Sequence, residues 1–128
     1  MKKLAAFFVA FVALSHVGIM VLEMLFWDHP VGREIFQMTP EVSASSAVLA
    51  MNQGLYNGFL AAGLIWGLMA KRTDVQLFFL GCVVVAGLFG GLTAKTSITF
   101  TQGLPALIAF GLVYMSSKMP ANEEMVSH

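Results

Sequence analysis

Seven residues of this chain carry side chains able to do chemistry in surroundings where polar groups are scarce: His16, Glu23, Asn52, Gln53, Tyr56, Asn57 and Gln102. Glu23 interrupts an otherwise apolar run. A carboxylate in hydrocarbon must be paired, hydrated or protonated, so it is a functional candidate by default. His16 stands seven residues earlier, two helical turns away on the same face. The axial separation is about 10 Å, too far for a direct hydrogen bond. The run Asn52-Gln53-Gly54-Leu55-Tyr56-Asn57-Gly58-Phe59 packs three amides and a phenol into two turns of a second apolar run. Amides are costly in hydrocarbon unless they have partners. Such groups can charge, orient and enclose a small ligand. His16 and Glu23 could also act as acid and base, with Tyr56 as proton donor or orienter. The competing reading is structural, because amides in membrane helices often only join helices, at about 0.6–2 kcal/mol each.

The elements that must position these groups are apolar helices. Hydrophobic residues are 58% and charged residues 11% of the 128, against roughly 45–50% and about 25% in an ordinary soluble domain. Mean hydropathy is +0.80. The fold class expected is all-α, a four-transmembrane-helix bundle over about residues 4–27, 40–70, 75–94 and 98–117, forming a single domain across 1–128. The basic start and Ala13-Leu14-Ser15 also resemble a signal peptide, but the apolar run continues to Trp27, a full span.

Residues 28–39 form a polar first connection with Pro30 and Gly32 as breakers, and Arg33 to Met38 fits a short interfacial helix or lid. Thr39-Pro40-Glu41 is a helix start: capping hydroxyl, proline at the first position, acid in the first turn. Pro105 removes one backbone hydrogen bond and can kink the last helix. Residues 118–128 form a polar tail. Gly54 and Gly58 make a small-xxx-small pair nearly opposite the amide face, and Gly87, Gly90 and Gly91 make a stripe on the third helix. Both suit close packing, including a homodimer or a membrane partner.

Lys2, Lys3, Lys71, Arg72 and Lys118 fall on one side of the expected membrane, Arg33 and Lys95 on the other. That asymmetry puts both termini in the cytoplasm, in a plasma (bacterial inner) membrane, and makes the first connection extracytoplasmic. Glu23, Asn52, Gln53 and Gln102 then lie at similar depth in the outer half, with His16 and Asn57 nearer the midplane, counting 1.5 Å per residue. The expected site is a polar pocket open to the outside.

Net charge is zero, so nothing points to nucleic acid. Phosphate-binding glycine patterns, CxxC and HExxH are absent, and no metal site or cofactor is indicated. Cys82 is the single cysteine, which excludes an intrachain disulfide and a thiol-pair mechanism.

Several of these residues also carry a family resemblance. His16, Glu23-Met24-x-x-Trp27, the run from Asn52 to Gly63, Val85-Ala86-Gly87-x-x-Gly90 and Gln102-Gly103-x-Pro105-Ala106 together resemble a family of small bacterial and fungal membrane proteins catalogued only as a domain of unknown function. The resemblance covers roughly residues 16 to 115, and its most specific element is Asn-Gln-Gly-x-Tyr-Asn. Phe89 departs from the pattern, standing where a tyrosine is expected. The resemblance implies a four-helix integral membrane protein and no particular activity. The DoxX-like group of four-helix membrane proteins is similar in architecture only. The functional expectation is a membrane protein that binds or transports a small polar or lipid-derived ligand. Its alternatives are a structural or partner subunit and a quinone- or lipid-linked membrane enzyme.

Overall fold

The computed structural model describes residues 1–119. The polar tail expected over 118–128 lies, from Pro120 on, outside the described residues. Among the described residues the chain is all-helical: α1 Lys2–Leu25, α2 Pro30–Ile35, α3 Pro40–Ser45, α4 Ala47–Met69, α5 Thr73–Thr93, a π-helical turn Thr99–Gly103, and α6 Leu104–Ser117. Three stretches are long and apolar enough to cross a membrane: Lys2–Leu25, Thr73–Thr93 and Thr99–Ser117. The fourth expected span, α4, has 23 residues, about 35 Å of helix at 1.5 Å per residue. Its length suffices, but with Asn52, Gln53, Tyr56 and Asn57 in its first half it is not among the three stretches apolar enough by composition. Much of the large apolar surface points outward: Phe7, Leu14, Leu25, Leu49, Met69 and Leu92 are all exposed.

The helix expected over 40–70 is broken at Ser46, which terminates α3 with φ −103° and ψ 4°. The cause is local. Ser46 Oγ donates to the Val42 carbonyl at 2.6 Å and Ser45 Oγ to the same carbonyl at 3.1 Å. Serine hydroxyls offer the backbone an alternative to the helical ladder, and two on one carbonyl interrupt it. The start at Pro40 is as the capping signal indicates: Thr39 Oγ1 accepts from Val42 N at 3.2 Å. The short helix of the first connection begins at Pro30, three residues before Arg33, because His29 Nδ1 caps it by accepting from Val31 N at 3.1 Å.

The chain divides into two compact units: residues 14–61, and residues 1–13 together with the described chain from Ala62 on. In the second unit, Gly63 of α4 faces the Phe79 ring and Gly67 faces Gln76, whose Nε2 donates to Gly67 O at 3.0 Å. The turn into α5 closes with Arg72 N donating to Gly67 O at 2.9 Å and Lys71 in the left-handed region at φ 53°, a Schellman ending. α5 then packs along the π turn and α6. A Cβ on Gly87 would lie 2.6 Å from Gly103 Cα, so two backbones meet there without side chains between them. Gly90 packs on Ile98 and Gly91 on Thr99, and Thr99 Oγ1 donates to Gly87 O at 3.1 Å. The proline effect expected at Pro105 is the wide π turn immediately before it. Pro105 brings no N–H to the preceding turn, and the looser bonding pattern accommodates that gap.

Candidate functional site

Within residues 14–61 the buried face of α4 is set by small residues. Ala50, Gly54, Asn57 and Ala61 are buried, at i, i+4, i+7 and i+11, one stripe of a helix. A Cβ on Gly54 would lie 3.1 Å from Glu23 Cβ and 3.2 Å from the Met20 carbonyl oxygen. The missing side chain therefore lets α4 approach the backbone of α1. The Met24 side chain lies over Gly54 and the Met20 thioether over Gly58. That approach puts the polar group one turn further on within reach: Asn57 Nδ2 donates to Glu23 Oε1 at 2.8 Å. Glu23 and Asn57 are each 8% exposed, and His16, two turns earlier on α1, is 2% exposed.

The remaining candidates are placed differently. Asn52, Gln53 and Tyr56 are exposed. Gly54, Gly58 and Asn57 all face α1, where helical spacing alone grouped Asn57 with Asn52, Gln53 and Tyr56 and put the two glycines nearly opposite. Asn52 Nδ2 donates to its own helix, at Val48 O, 2.9 Å away. The Tyr56 ring stands edge-on to Phe59, with centroids 5.9 Å apart. Gln102 is half-buried on the π turn and belongs to the other unit. The five glycines expected at a partner interface, Gly54, Gly58, Gly87, Gly90 and Gly91, all take packing contacts within the chain.

Beyond the end of α1 lies a polar cluster that the spacing of sequence motifs does not indicate. Ser43 Oγ donates to Asp28 Oδ1 at 2.7 Å, and Arg33 Nη2 donates to the same oxygen at 3.1 Å. Arg33 Nε donates to Ser43 Oγ at 3.1 Å, and Trp27 Nε1 to Ser46 Oγ at 2.9 Å. Arg33 is therefore held by Asp28 and Ser43. The Ser43 hydroxyl, and after it the Arg33 guanidinium, hold the Asp28 carboxyl below its ordinary 3.8. Asp28 and Arg33 stand five residues apart, a spacing that could have suggested a pair across the turn. Ser43 and Ser46 gave no such signal.

Chemically, the buried pair offers a carboxylate with one acceptor position filled by an amide. An ionised carboxylate has about four such positions, so the group retains capacity for another donor, a cation or a proton. Among the described residues no three His, Cys, Asp or Glu side chains gather closely enough to hold a metal ion.

A family described as a protein of unknown function, DUF1304, matches residues 10–114. The chain is 32% identical over 102 residues to the uncharacterized protein YpaA of Lactococcus lactis subsp. lactis, across 77% of this chain and 86% of that protein. No solved structure matches, and the architectural likeness to the DoxX-like group gains no support from these comparisons.

Proposed function

The chain belongs to the DUF1304 family, and from that premise we propose a small integral membrane protein that binds a small polar or lipid-derived ligand at the Glu23–Asn57 centre. One observation carries this reading. A glutamate and an asparagine, both buried, meet at 2.8 Å on helices that approach through a glycine. Ionisable groups at such depth are costly and are usually retained for a task. Glu23 supplies charge or a proton, Asn57 fixes the carboxylate, and His16 lies on the same helix face.

In this reading α4 spans the membrane beside the three more apolar segments, making four spans in one domain. The loops richest in Lys and Arg lie in the cytoplasm with both termini, and residues 28–39 lie outside a plasma membrane of the bacterial inner type. Asn52, Gln53, Tyr56 and Gln102 contribute polar groups at other points of the same protein.

The test is a thermal-shift screen of the detergent-solubilised chain against phospholipids, quinones, sugars and small cations, with Glu23→Gln and Asn57→Ala alongside. The expected result is a stabilising compound whose shift both variants diminish. If neither variant alters any response, the ligand site is not at this pair.

A second reading, a partner subunit, is favoured by the exposed row Asn52, Gln53 and Tyr56 on α4, a polar face suited to another helix. Native mass spectrometry distinguishes it: a homodimer or co-purifying protein that Gln53→Leu with Tyr56→Phe disperses supports a subunit, and a monomer argues against it.

A further inference from the structure

The two short helices α2 and α3 close back on the end of α1. A Cβ on Gly32 of α2 would fall onto the Phe26 carbonyl oxygen and lie 2.7 Å from that of Trp27, so α2 rests directly on backbone there. Phe36, at the end of α2, lies against the Trp27 indole with ring centroids 4.8 Å apart. The indole in turn reaches the head of α4, where its Nε1 donates to Ser46 Oγ at 2.9 Å. Trp27 stands four residues beyond Glu23, and Ser46 stands four before Ala50, the first buried position of the stripe that carries Asn57. The Trp27–Ser46 bond therefore bridges α1 and α4 on the side of the first connection, about one turn beyond the Glu23–Asn57 bond.

A second set of contacts is independent of the indole. Asp28 Oδ1 accepts from Ser43 Oγ at 2.7 Å and from Arg33 Nη2 at 3.1 Å, and Arg33 Nε donates to Ser43 Oγ at 3.1 Å. This triangle ties the start of the connection, α2 and α3 together at one point. Ser43 is fully buried, but the Asp28 and Arg33 side chains are 43% and 29% exposed. An ion pair as wet as this adds little stability, so the element it holds is among the first to open locally. The joints are in place as well. The backbone leaves the helical region at Gln37, φ 54°, between α2 and α3, and again at Ser46, between α3 and α4. The segment can swing at these points while α1 and α4 keep their own hydrogen bonds.

We propose that residues 28–45 are a hinged lid over the Glu23–Asn57 centre, shut by the Trp27–Ser46 bond and latched by Asp28, Arg33 and Ser43. Its opening admits the ligand from the side of the first connection, a role that rests on the reading of the buried pair as the ligand centre. With the lid shut, Glu23 and Asn57 are each 8% exposed.

The experiment labels the full chain in neutral detergent, without ligand, using a water-soluble carbodiimide and glycine methyl ester, and follows Glu23 by peptide mass spectrometry. Glu34 and Glu41, exposed in the same segment, calibrate the reagent. When reclosing outpaces labelling, the rate at Glu23 follows the open fraction. Glu23 is expected to react far more slowly than Glu34 and Glu41. Ser46→Ala and Arg33→Gln should each speed its labelling about fivefold, the size of one ordinary hydrogen bond. Ser46→Thr keeps the hydroxyl and should label like the parent. Gly87→Ala, which loosens α5 in the other unit, should leave the rate unchanged. Glu23 labelling as fast as Glu34, rates unaltered in Ser46→Ala and Arg33→Gln, or an equal rise in Gly87→Ala each overturns the lid. The two readings fail separately. Lid-dependent labelling with no response in the thermal-shift screen supports the lid and removes the ligand centre beneath it. A Glu23-dependent ligand response with inert lid variants keeps the centre and overturns the lid.

Discussion

Alanine at Gly87 adds one methyl group where there is no room for it. Its Cβ would lie 2.6 Å from both Cα and N of Gly103, about 1 Å inside an ordinary carbon contact. The neighbour is backbone, so no rotamer change relieves the overlap. α5 must move off the π turn, and the Thr99 hydroxyl bond to Gly87 O, now 3.1 Å, would stretch beyond hydrogen-bond range. Overpacking costs about 1–3 kcal/mol, and the lost hydrogen bond about 1 kcal/mol more. Alanine returns about 1 kcal/mol through helix propensity. The expected net loss is about 1–3 kcal/mol. Gly111 on α6 is the internal control, since a Cβ there meets nothing within 4 Å. Gly111→Ala should keep the propensity gain and stabilise by about 0.5–1 kcal/mol. Both variants can be unfolded reversibly in mixed micelles by increasing the fraction of ionic detergent, with far-ultraviolet circular dichroism as readout. A Gly87→Ala protein as stable as the parent, or two shifts of the same sign, would refute the backbone contact.

Glu23 and Asn57 should be energetically coupled. In a double-mutant cycle with Glu23→Leu and Asn57→Leu in the same unfolding assay, the interaction energy is expected near 0.6–2 kcal/mol, and a value of zero would mean the 2.8 Å bond does not form. Removing Asn57 alone should be the costlier single change, because it strands a buried carboxylate. At the outer cluster, the Asp28 carboxyl is held below 3.8 by Ser43 and Arg33. A depressed folded value means its stabilisation is present above about 3.8 and is lost as pH falls through the lower folded value. Trp27 fluorescence, reporting the neighbouring bond to Ser46, should show an acid transition that Asp28→Asn shifts or abolishes. Gln37 ends α2 with φ 54°, a conformation that costs a residue with a Cβ about 1 kcal/mol. Gln37→Gly should therefore stabilise slightly, and a clear loss in the same denaturation assay would contradict that geometry.

What was legible beforehand follows physical lines. The capping triplet at Thr39 and the helical character of the apolar segments are local properties, and they appear close to where the sequence puts them, apart from the break at Ser46. That Glu23 needs a partner was legible because an acid in an apolar run is costly anywhere. Its partner was not, since spacing says only which residues share a face, not which face meets α1. The small residues Ala50, Gly54 and Ala61 decided that, and they drew Asn57 inward while leaving Asn52, Gln53 and Tyr56 outside. The break at Ser46 was hidden because serine is tolerated in helices, and only two hydroxyls turned onto one carbonyl end one. Pro105 signalled a disturbance; its form, a π turn carrying Gln102, depends on how Gly103 meets Gly87.

The modest apolarity of α4 has a consequence for biosynthesis. A translocon passes segments into the bilayer according to their own hydrophobicity, and in the four-span arrangement proposed above α4 is the weakest candidate. Asn52 eases the transfer by bonding to its own helix at Val48, but Asn57 has its partner on α1. That helix is made first and waits in the membrane. In that arrangement the glutamate would act as a receptor for the late arrival, and entry of α4 would be a docking event as much as a partitioning one. In a cell-free insertion assay, α4 presented alone should enter microsomes poorly. Preceded by its native α1, it should enter well, and Glu23→Leu should remove much of that advantage.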